Sequence, residues 1–185
     1  AVELLTEHGS KKLKTTYLKN MITGVWPGTM NLTEPSAGTD LSRIITKATP
    51  DGDKYRLSGT KIYITYGEHD FSENIIHMVL ARLDKAPEGI KGISLFVAPK
   101  FLVNDDGSLG QRNDLKAVSL EHKLGIHASP TAVMSYGDDD GAIGYLVGEE
   151  NRGIEYMFTM MNNARLSVGL EGLALTDRSY QLAKK

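Results

Sequence analysis

Eight short runs of strand-forming residues, separated by turn signals, occupy most of the sequence between positions 26 and 147. Pro50-Asp51-Gly52-Asp53 is the strongest turn signal, since Asp-Gly fits a tight hairpin between polar flanks. The runs are Ser42–Ala48, Lys54–Leu57, Lys61–Thr65, Ile75–Arg82, Gly92–Pro99, Leu115–Leu120, Ala132–Tyr136 and Tyr145–Val147. Short strands at a spacing of about 8–12 residues favour a β-sandwich or a β-barrel.

Helical patterns flank this β-rich region on both sides. Residues 1–23 fit one or two short helices, and Ser10 is placed to cap a second helix from Lys11 to Met21. Residues 153–185 have helical spacing with apolar side chains on nearly every side, which is typical of a helix covered by several neighbours. We therefore expect further helices to follow, and the first residue, Ala1, fits a piece of a longer protein.

The composition indicates an ordinary globular protein and excludes several functions. Of the 185 residues, 41% are hydrophobic and 24% are charged, and the net charge of −2 provides no basic field for nucleic acid. No apolar run approaches the roughly 18 residues of a transmembrane helix. The sequence has no cysteine, which excludes disulfides and fits a reducing compartment, so we expect a cytoplasmic protein.

A loop rich in hydrogen-bonding groups occupies residues 30–40, with the sequence Met30-Asn31-Leu32-Thr33-Glu34-Pro35-Ser36-Ala37-Gly38-Thr39-Asp40. Pro35 pushes the residue before it towards an extended backbone, and Gly38 allows the backbone to approach a ligand closely. Thr33 and Thr39 offer hydroxyl groups to an acceptor-rich partner. Taken alone, the residues favour a simple Pro/Gly turn.

Three other segments are open to structural and functional interpretations. In Gly59–Thr65, two isoleucines alternate with Lys61, Tyr63 and Thr65, as in any half-buried strand. Lys123–Thr131 fits a Gly/Ser/Pro loop between strands. In Asn162–Arg165, the arginine lies within a predicted helix, where such a residue is usually solvated or paired. By themselves, none of these patterns requires a ligand.

Together, these segments resemble the acyl-CoA dehydrogenase family, in which a flavin-contacting strand ends in Thr-Glu-Pro and turns through Ala-Gly-Ser/Thr-Asp. The order of helix, β domain and helix matches that family as well. The resemblance implies a mainly β fold, in which residues 26–150 form an antiparallel β-barrel or sandwich middle domain. Residues 1–25 would end an N-terminal helical domain, and residues 151–185 would be the first helix of a C-terminal helical domain.

The resemblance also implies FAD as the cofactor, α,β-dehydrogenation of an acyl-CoA thioester as the reaction, and roles for individual residues. The residues expected to contact FAD are Met30, Leu32, Thr33, Gly38, Thr39, Tyr63 and Thr65. Those expected to contact acyl-CoA are Thr39, Ser129, Asn162 and Arg165. Many members have Trp in place of Tyr63 and an acid in place of Asn162, so these two contacts would differ.

The family's catalytic base is a Glu in the last helical domain, so no residue of this sequence is assigned that role. Glu68–His77, Phe101–Asn113 and Glu121–His127 look like the longer bacterial branch, which includes methylmercaptopropionyl-CoA and long-chain acyl-CoA dehydrogenases. The expected partners are an acyl-CoA substrate and electron-transferring flavoprotein, with the full-length protein a homodimer or homotetramer. The alternatives are an acyl-CoA oxidase or a flavin monooxygenase on the same fold, or a non-enzymatic β-sandwich binding module.

No metal site is predicted. The acidic stretch from Asp138 to Glu149 resembles a calcium loop, but Ile143 occupies the position where the sharp turn requires glycine. Glu68-His69-Asp70 and the pair His122 and His127 lack both helical i, i+4 spacing and an evident third ligand.

Overall fold

The computed structural model describes residues 1–185, with ten strands between two helical ends. The N-terminal helices are α1 (Val2–His8), α2 (Lys11–Leu13) and α3 (Lys19–Ile22), and a π-helical turn at Lys14–Leu18 joins α2 to α3. The strands are β1 (Gly28–Asn31), β2 (Lys47–Asp51), β3 (Lys54–Thr65), β4 (Ile76–Leu83), β5 (Ile93–Pro99), β6 (Phe101–Val103), β7 (Leu109–Arg112), β8 (Leu115–Leu120), β9 (Thr131–Tyr136) and β10 (Ala142–Leu146). Helix α4 (Gly153–Ala183) follows, and short 3₁₀ turns occur at Leu41–Arg43 and Gly89–Gly92.

Five strands close on themselves to form a barrel. Strand β4 pairs with β5, β5 with β10, β10 with β3, β3 with β2, and β2 returns to β4. Strand β1 pairs with β4, while β9 and β8 extend the sheet from the second half of β3. The pairings of β1 and β2 with β4 are parallel, and the others are antiparallel. The predicted mainly β fold with flanking helices is therefore confirmed.

Several predicted boundaries are wrong, for local reasons. The predicted strand at Ser42–Ala48 begins instead at Lys47, because the Asp40 carboxylate accepts the backbone N–H and hydroxyl of Ser42 and starts a 3₁₀ turn. The runs Lys54–Leu57 and Lys61–Thr65 form one strand of 12 residues. They are continuous because β3 changes partners along its length, from β2 at Lys54–Ser58 to β9 at Gly59–Thr65. Gly59 passes close to Thr46, whose hydroxyl oxygen would lie 2.5 Å from a Cβ at this position. The predicted cap at Ser10 and the hairpin turn at residues 50–53 are confirmed.

Two apolar cores lie on opposite faces of β4 and β5. The face towards the helices contributes Ile76, Met78, Leu80, Ile93, Leu95 and Val97, which pack with residues of α1 and α4. The opposite face contributes Val79, Ala81, Leu83, Phe96 and Ala98, which pack with β3 and β9 inside the barrel. Both strands are therefore buried on two sides, which explains why their sequences are continuous apolar runs.

Helix α4 is attached to the barrel by its first turns. Tyr156 and Met157 are buried against the β4 and β5 face, whereas the later leucines are exposed, including Leu166 at 76% and Leu173 at 65%. The attachment of α4 therefore depends on its N-terminal end. None of the helices in the structure combines the length and apolarity needed to cross a membrane.

Replacing Gly153 with alanine is expected to weaken this attachment. A Cβ at Gly153 would lie 2.4 Å from the backbone carbon of Ser94 and 2.6 Å from the nitrogen of Leu95, and backbone cannot move aside cheaply. We expect a loss of about 1–3 kcal/mol in the free energy of unfolding, measured by urea denaturation. Gly172→Ala is the matched control in the same helix. No atom lies within 4 Å of its added Cβ, so a gain of up to about 1 kcal/mol is expected. Equal effects of the two substitutions would contradict this account.

Candidate functional site

The loop at residues 30–40 begins in the last two residues of β1 and continues beside the second half of β3. The backbone N–H of Ile62 donates to the carbonyl of Thr33 at 2.9 Å. The Lys61 ammonium donates to the carbonyl of Leu32 at 3.0 Å and to the Glu34 carboxylate at 2.7 Å. These three contacts place the two segments predicted to contact flavin next to each other, although 27 residues separate Glu34 from Lys61 in the sequence.

The Glu34 carboxylate holds the two ends of the loop together. It is buried, and besides Lys61 it accepts the backbone N–H of Ile45 at 2.8 Å, the N–H of Thr46 at 3.1 Å and the Thr46 hydroxyl at 2.5 Å. Burial acts to raise the pKa of Glu34, but the charge of Lys61 and these hydrogen bonds together lower it below its ordinary value. Glu34 is therefore a buried carboxylate with its acceptor sites filled. The sequence around it predicts only an extended backbone at this position.

Lys61 is completely buried, at 0% exposure, whereas Tyr63 and Thr65, which alternate with the isoleucines in the same way, are exposed. Burial lowers its pKa to about 8, although the attraction of Glu34 opposes this shift. A lysine in an alternating strand pattern is normally a surface residue. Its partner lies on a different segment, so the local pattern contains no sign of the ion pair.

A β-bulge in β3 turns Tyr63 towards solvent. Lys61 pairs with Met134 of β9 and Ile64 pairs with Ala132, so the two residues Ile62 and Tyr63 oppose one residue of β9. Because the N–H of Ile62 binds Thr33, it is not available to β9. Tyr63 adopts a φ of +61°, in the left-handed region, and its side chain is 60% exposed. This conformation costs a non-glycine residue about 1–2 kcal/mol, and such strain is concentrated at functional sites.

Replacing Tyr63 with glycine is expected to change the free energy of unfolding by less than about 1 kcal/mol, and in the stabilising direction. The glycine relieves the left-handed strain, and an exposed ring contributes little burial. Thr65→Gly is the matched control, since Thr65 is also exposed in β3 but has a negative φ. It should lose about 0.5–1 kcal/mol, because glycine weakens an ordinary strand position. Chemical denaturation of both variants checks this, and a larger loss at position 63 than at 65 would contradict the assignment of strain.

The donors at the surface of this loop fit an acceptor-rich ligand such as the edge of an isoalloxazine ring. The backbone N–H groups of Thr33, Gly38 and Thr39 have no backbone partner in the chain. The hydroxyl groups of Thr33, Thr39 and Thr65 make no hydrogen bond within the chain either. Gly38, Thr39 and Thr65 are exposed, while Met30, Leu32 and Thr33 are partly buried. The set combines several unused donors with an exposed aromatic ring, which suits a flat, polar cofactor.

The other predicted substrate residues lie in two different places. Ser129 belongs to the loop before β9, and this loop contacts the end of β3 where the N–H of Tyr66 donates to the carbonyl of Pro130 at 2.9 Å. Ser129 is therefore on the same side of the fold as Thr65. Asn162 and Arg165 are exposed on α4, and no hydrogen bond or ion pair joins either to the loop. The Arg165 guanidinium lies over the Phe158 ring of the same helix, 5.3 Å from its centre.

A buried polar chain lies behind β1 and supports the strand that leads into the loop. The hydroxyl of Thr29 and Nδ1 of His77 are 2.7 Å apart, and the Asn31 amide donates to the same hydroxyl at 2.8 Å. The Tyr136 hydroxyl donates to the Asn31 carbonyl oxygen at 2.8 Å. Nε2 of His77 has no partner, and burial lowers the pKa of this residue to about 3. The chain therefore keeps a neutral histidine inside the barrel.

No group of three or more histidine or acidic residues is placed to hold a metal ion. Glu68 forms ion pairs with Lys100 and Arg112, each at 2.5 Å. Asp138 binds Lys116 and the hydroxyl of Ser135.

A cleft of about 670 Å³ lies between the N-terminal helices and the turn after β6, and none of the predicted site residues lines it.

Comparison with known proteins identifies the family. Residues 29–138 match the family model described as acyl-CoA dehydrogenase, middle domain. The chain is 59% identical over 184 residues to 3-methylmercaptopropionyl-CoA dehydrogenase of Ruegeria pomeroyi, covering 99% of the chain and 31% of that protein. It is 40% identical over 190 residues to a butyryl-CoA dehydrogenase of Syntrophomonas wolfei, with the same two coverages.

A solved structure shares the fold. The crystal structure of acyl-CoA dehydrogenase from Geobacillus kaustophilus matches with a TM-score of 0.66 and 30% identity, covering 84% of this chain and 37% of that one. The chain thus spans about a third of the length of the relatives it matches. Because the family model covers more than half of the sequence and includes both the loop and β3, the chain belongs to the acyl-CoA dehydrogenase family.

Proposed function

We propose that this chain is part of an FAD-dependent acyl-CoA dehydrogenase, which removes hydrogen from the α and β carbons of an acyl-CoA thioester. The observation that carries the proposal is the loop at residues 30–40, joined to the bulged strand β3 and presenting unused donors beside an exposed Tyr63. This arrangement lies within the region that matches the family's middle domain.

In this proposal, the surface of the loop holds the cofactor. Thr33 and Thr39 donate from backbone and hydroxyl groups, Thr65 donates from its hydroxyl, and the Tyr63 ring packs against the flavin. Met30, Leu32 and Gly38 provide the remaining contacts along the loop. FAD, when bound, would supply the redox chemistry that side chains lack. The protein's part is to fix the orientation of the reacting groups and to limit the access of water.

The substrate contacts are also part of the proposal. Thr39 would contact both cofactor and acyl-CoA, while Ser129 lies on the same side of the fold as Thr65. Arg165 suits phosphate groups of CoA because its planar fork gives paired hydrogen bonds. Asn162 would offer an amide where many members have an acid. We assign no catalytic base to this chain.

We extend the proposal to the whole protein. Residues 1–25 end an N-terminal helical domain, residues 26–150 form the middle domain, and residues 151–185 begin a C-terminal helical domain. The exposed leucines of α4 support this division, since further helices would cover them. We propose electron-transferring flavoprotein as the acceptor, a dimer or tetramer as the assembly, and the cytoplasm as the compartment.

The test is the visible absorbance of the purified full-length protein, before and after a saturated acyl-CoA is added without oxygen. We expect a flavin band that bleaches on addition of a suitable acyl-CoA. A series of acyl chains would then define the preferred substrate. A protein without a flavin band, or with a band that no acyl-CoA bleaches, would contradict the proposed activity. Rapid reoxidation by oxygen, rather than by electron-transferring flavoprotein, would instead indicate an oxidase.

A further inference from the structure

The buried ion pair of Lys61 and Glu34 lies directly beneath the proposed cofactor surface. The Lys61 ammonium is enclosed, and its two protein acceptors are the Leu32 carbonyl at 3.0 Å and the Glu34 carboxylate at 2.7 Å. Leu32 and Glu34 are the two neighbours of Thr33. Lys61 therefore holds the backbone on both sides of the residue expected to be a main flavin contact.

The same lysine is coupled to the geometry of Tyr63. Lys61 is the last residue of β3 in register with β9 before the bulge, and Ile62 is diverted to the carbonyl of Thr33. Tyr63 follows in the left-handed conformation. A change in the distance between Lys61 and residues 32–34 would move the N–H of Ile62 relative to its acceptor, the carbonyl of Thr33. The direction of the Tyr63 side chain would change with it.

Glu34 also fixes the position of the far end of the loop. Its carboxylate accepts hydrogen bonds from Ile45 and Thr46, which lie just before β2. The segment between, which contains Gly38 and Thr39, is therefore attached at both ends to one buried charge pair. Gly38 and Thr39 themselves are exposed and make no backbone hydrogen bond through their N–H groups.

We propose that Lys61 and Glu34 are positioning residues for the flavin, which set the spacing between Thr33 and Tyr63 without touching the cofactor. This proposal rests on the proposed function. A role in stability alone is the competing explanation. Removing one partner of any buried ion pair lowers the free energy of unfolding, so a loss of stability does not distinguish the two explanations.

The chain contains a matched control for this comparison. Lys100 is 7% exposed, pairs with Glu68 at 2.5 Å and donates to the carbonyl of His69 at 2.6 Å. It thus has one carboxylate and one carbonyl acceptor, as Lys61 has, but it does not bind the loop at residues 30–40. Lys100→Met therefore removes a buried lysine from an ion pair outside that loop, where Glu68 is 22% exposed and keeps its second partner, Arg112.

The experiment compares Lys61→Met, Lys61→Arg and Lys100→Met with the wild-type full-length protein. The affinity of the apoprotein for FAD is measured by fluorescence titration, the visible spectrum of the bound flavin is recorded, and thermal unfolding is followed separately. We expect both methionine variants to unfold at lower temperature. Only Lys61→Met should weaken FAD binding, by about tenfold or more, and shift the flavin band, by analogy with the loss of metal affinity when a residue that orients a metal ligand is removed. Lys61→Arg should recover part of the affinity, because it retains the charge.

Wild-type affinity and an unchanged spectrum in Lys61→Met would overturn the proposal, as would equal changes in Lys100→Met. If Lys61→Met does not fold, Lys61→Arg tests the positioning role instead. The guanidinium is larger than the ammonium, so it must displace residues 32–34 of the loop. An unaltered flavin band and affinity in that variant would overturn the positioning role. Failure of the wild-type protein itself to bind FAD would contradict the proposed function, which distinguishes that result from a failure of this inference.

Discussion

Replacing Glu34 with alanine is expected to lower the free energy of unfolding by about 3–5 kcal/mol, because it leaves the Lys61 ammonium buried without its counter-ion. The N–H groups of Ile45 and Thr46 lose their acceptor as well. Urea denaturation of the chain measures the loss. Glu73→Ala is the control, since Glu73 is exposed and forms no ion pair, and a change within about 0.5 kcal/mol is expected there.

The double variant Glu34→Ala with Lys61→Met tests the origin of this loss. Residues that share one ion pair are not additive, so the double variant should lose less than the sum of the single variants. We expect a coupling of about 2 kcal/mol, since removal of both partners leaves no buried charge. Strict additivity would mean that the two side chains act independently and that the 2.7 Å contact contributes little.

The second large effect is a loss of stability in acid that depends on His77. Burial lowers the pKa of His77 to about 3, below the ordinary value of 6.5, so the unfolded chain binds the proton more readily than the folded chain. The stabilisation is complete above about pH 6.5 and is lost as the pH falls towards 3. The expected loss is about 2 kcal/mol at pH 5 and about 4 kcal/mol at pH 3 from this residue.

Denaturation between pH 5 and 6.5 isolates this contribution, because the carboxylates with lowered pKa titrate below that range. His77→Gln should remove most of the slope of stability against pH in this window. Burial also lowers the pKa of His69, so a smaller slope of the same sign remains in His77→Gln. An identical slope in wild type and His77→Gln would show that His77 is not buried as a neutral residue.

Local sequence patterns predict the elements of this fold well and their connections poorly. The apolar runs of β4 and β5 and the Asp-Gly turn between β2 and β3 depend on neighbouring residues, so each is visible in the sequence. The union of two predicted strands into β3 depends on pairing first with β2 and then with β9, which are other segments of the chain. The hairpin of β6 and β7 is not visible in the sequence pattern, because its strands are short and partly polar.

The candidate site also combines features that the local sequence predicts with features that depend on distant contacts. The loop at residues 30–40 is found from its motif, because the turn residues and hydroxyls are consecutive in the chain. The burial of Lys61 and the left-handed backbone of Tyr63 are not predictable in this way. Both follow from contacts with residues 32–34, and an alternating strand pattern places Lys61 on the wrong face. Tertiary contacts thus override the local pattern where the two proposed cofactor segments meet.

Hydrogen–deuterium exchange of the full-length protein, with and without FAD, tests most directly whether these two segments hold the cofactor. The amides of Thr33, Gly38 and Thr39 have no backbone partner, so they should exchange rapidly in the apoprotein and slowly when FAD is bound. Peptides covering residues 62–66 should also be protected, while the β6–β7 hairpin should be unchanged. Protection by FAD elsewhere in the protein, with none at residues 33–39, would contradict this location of the site.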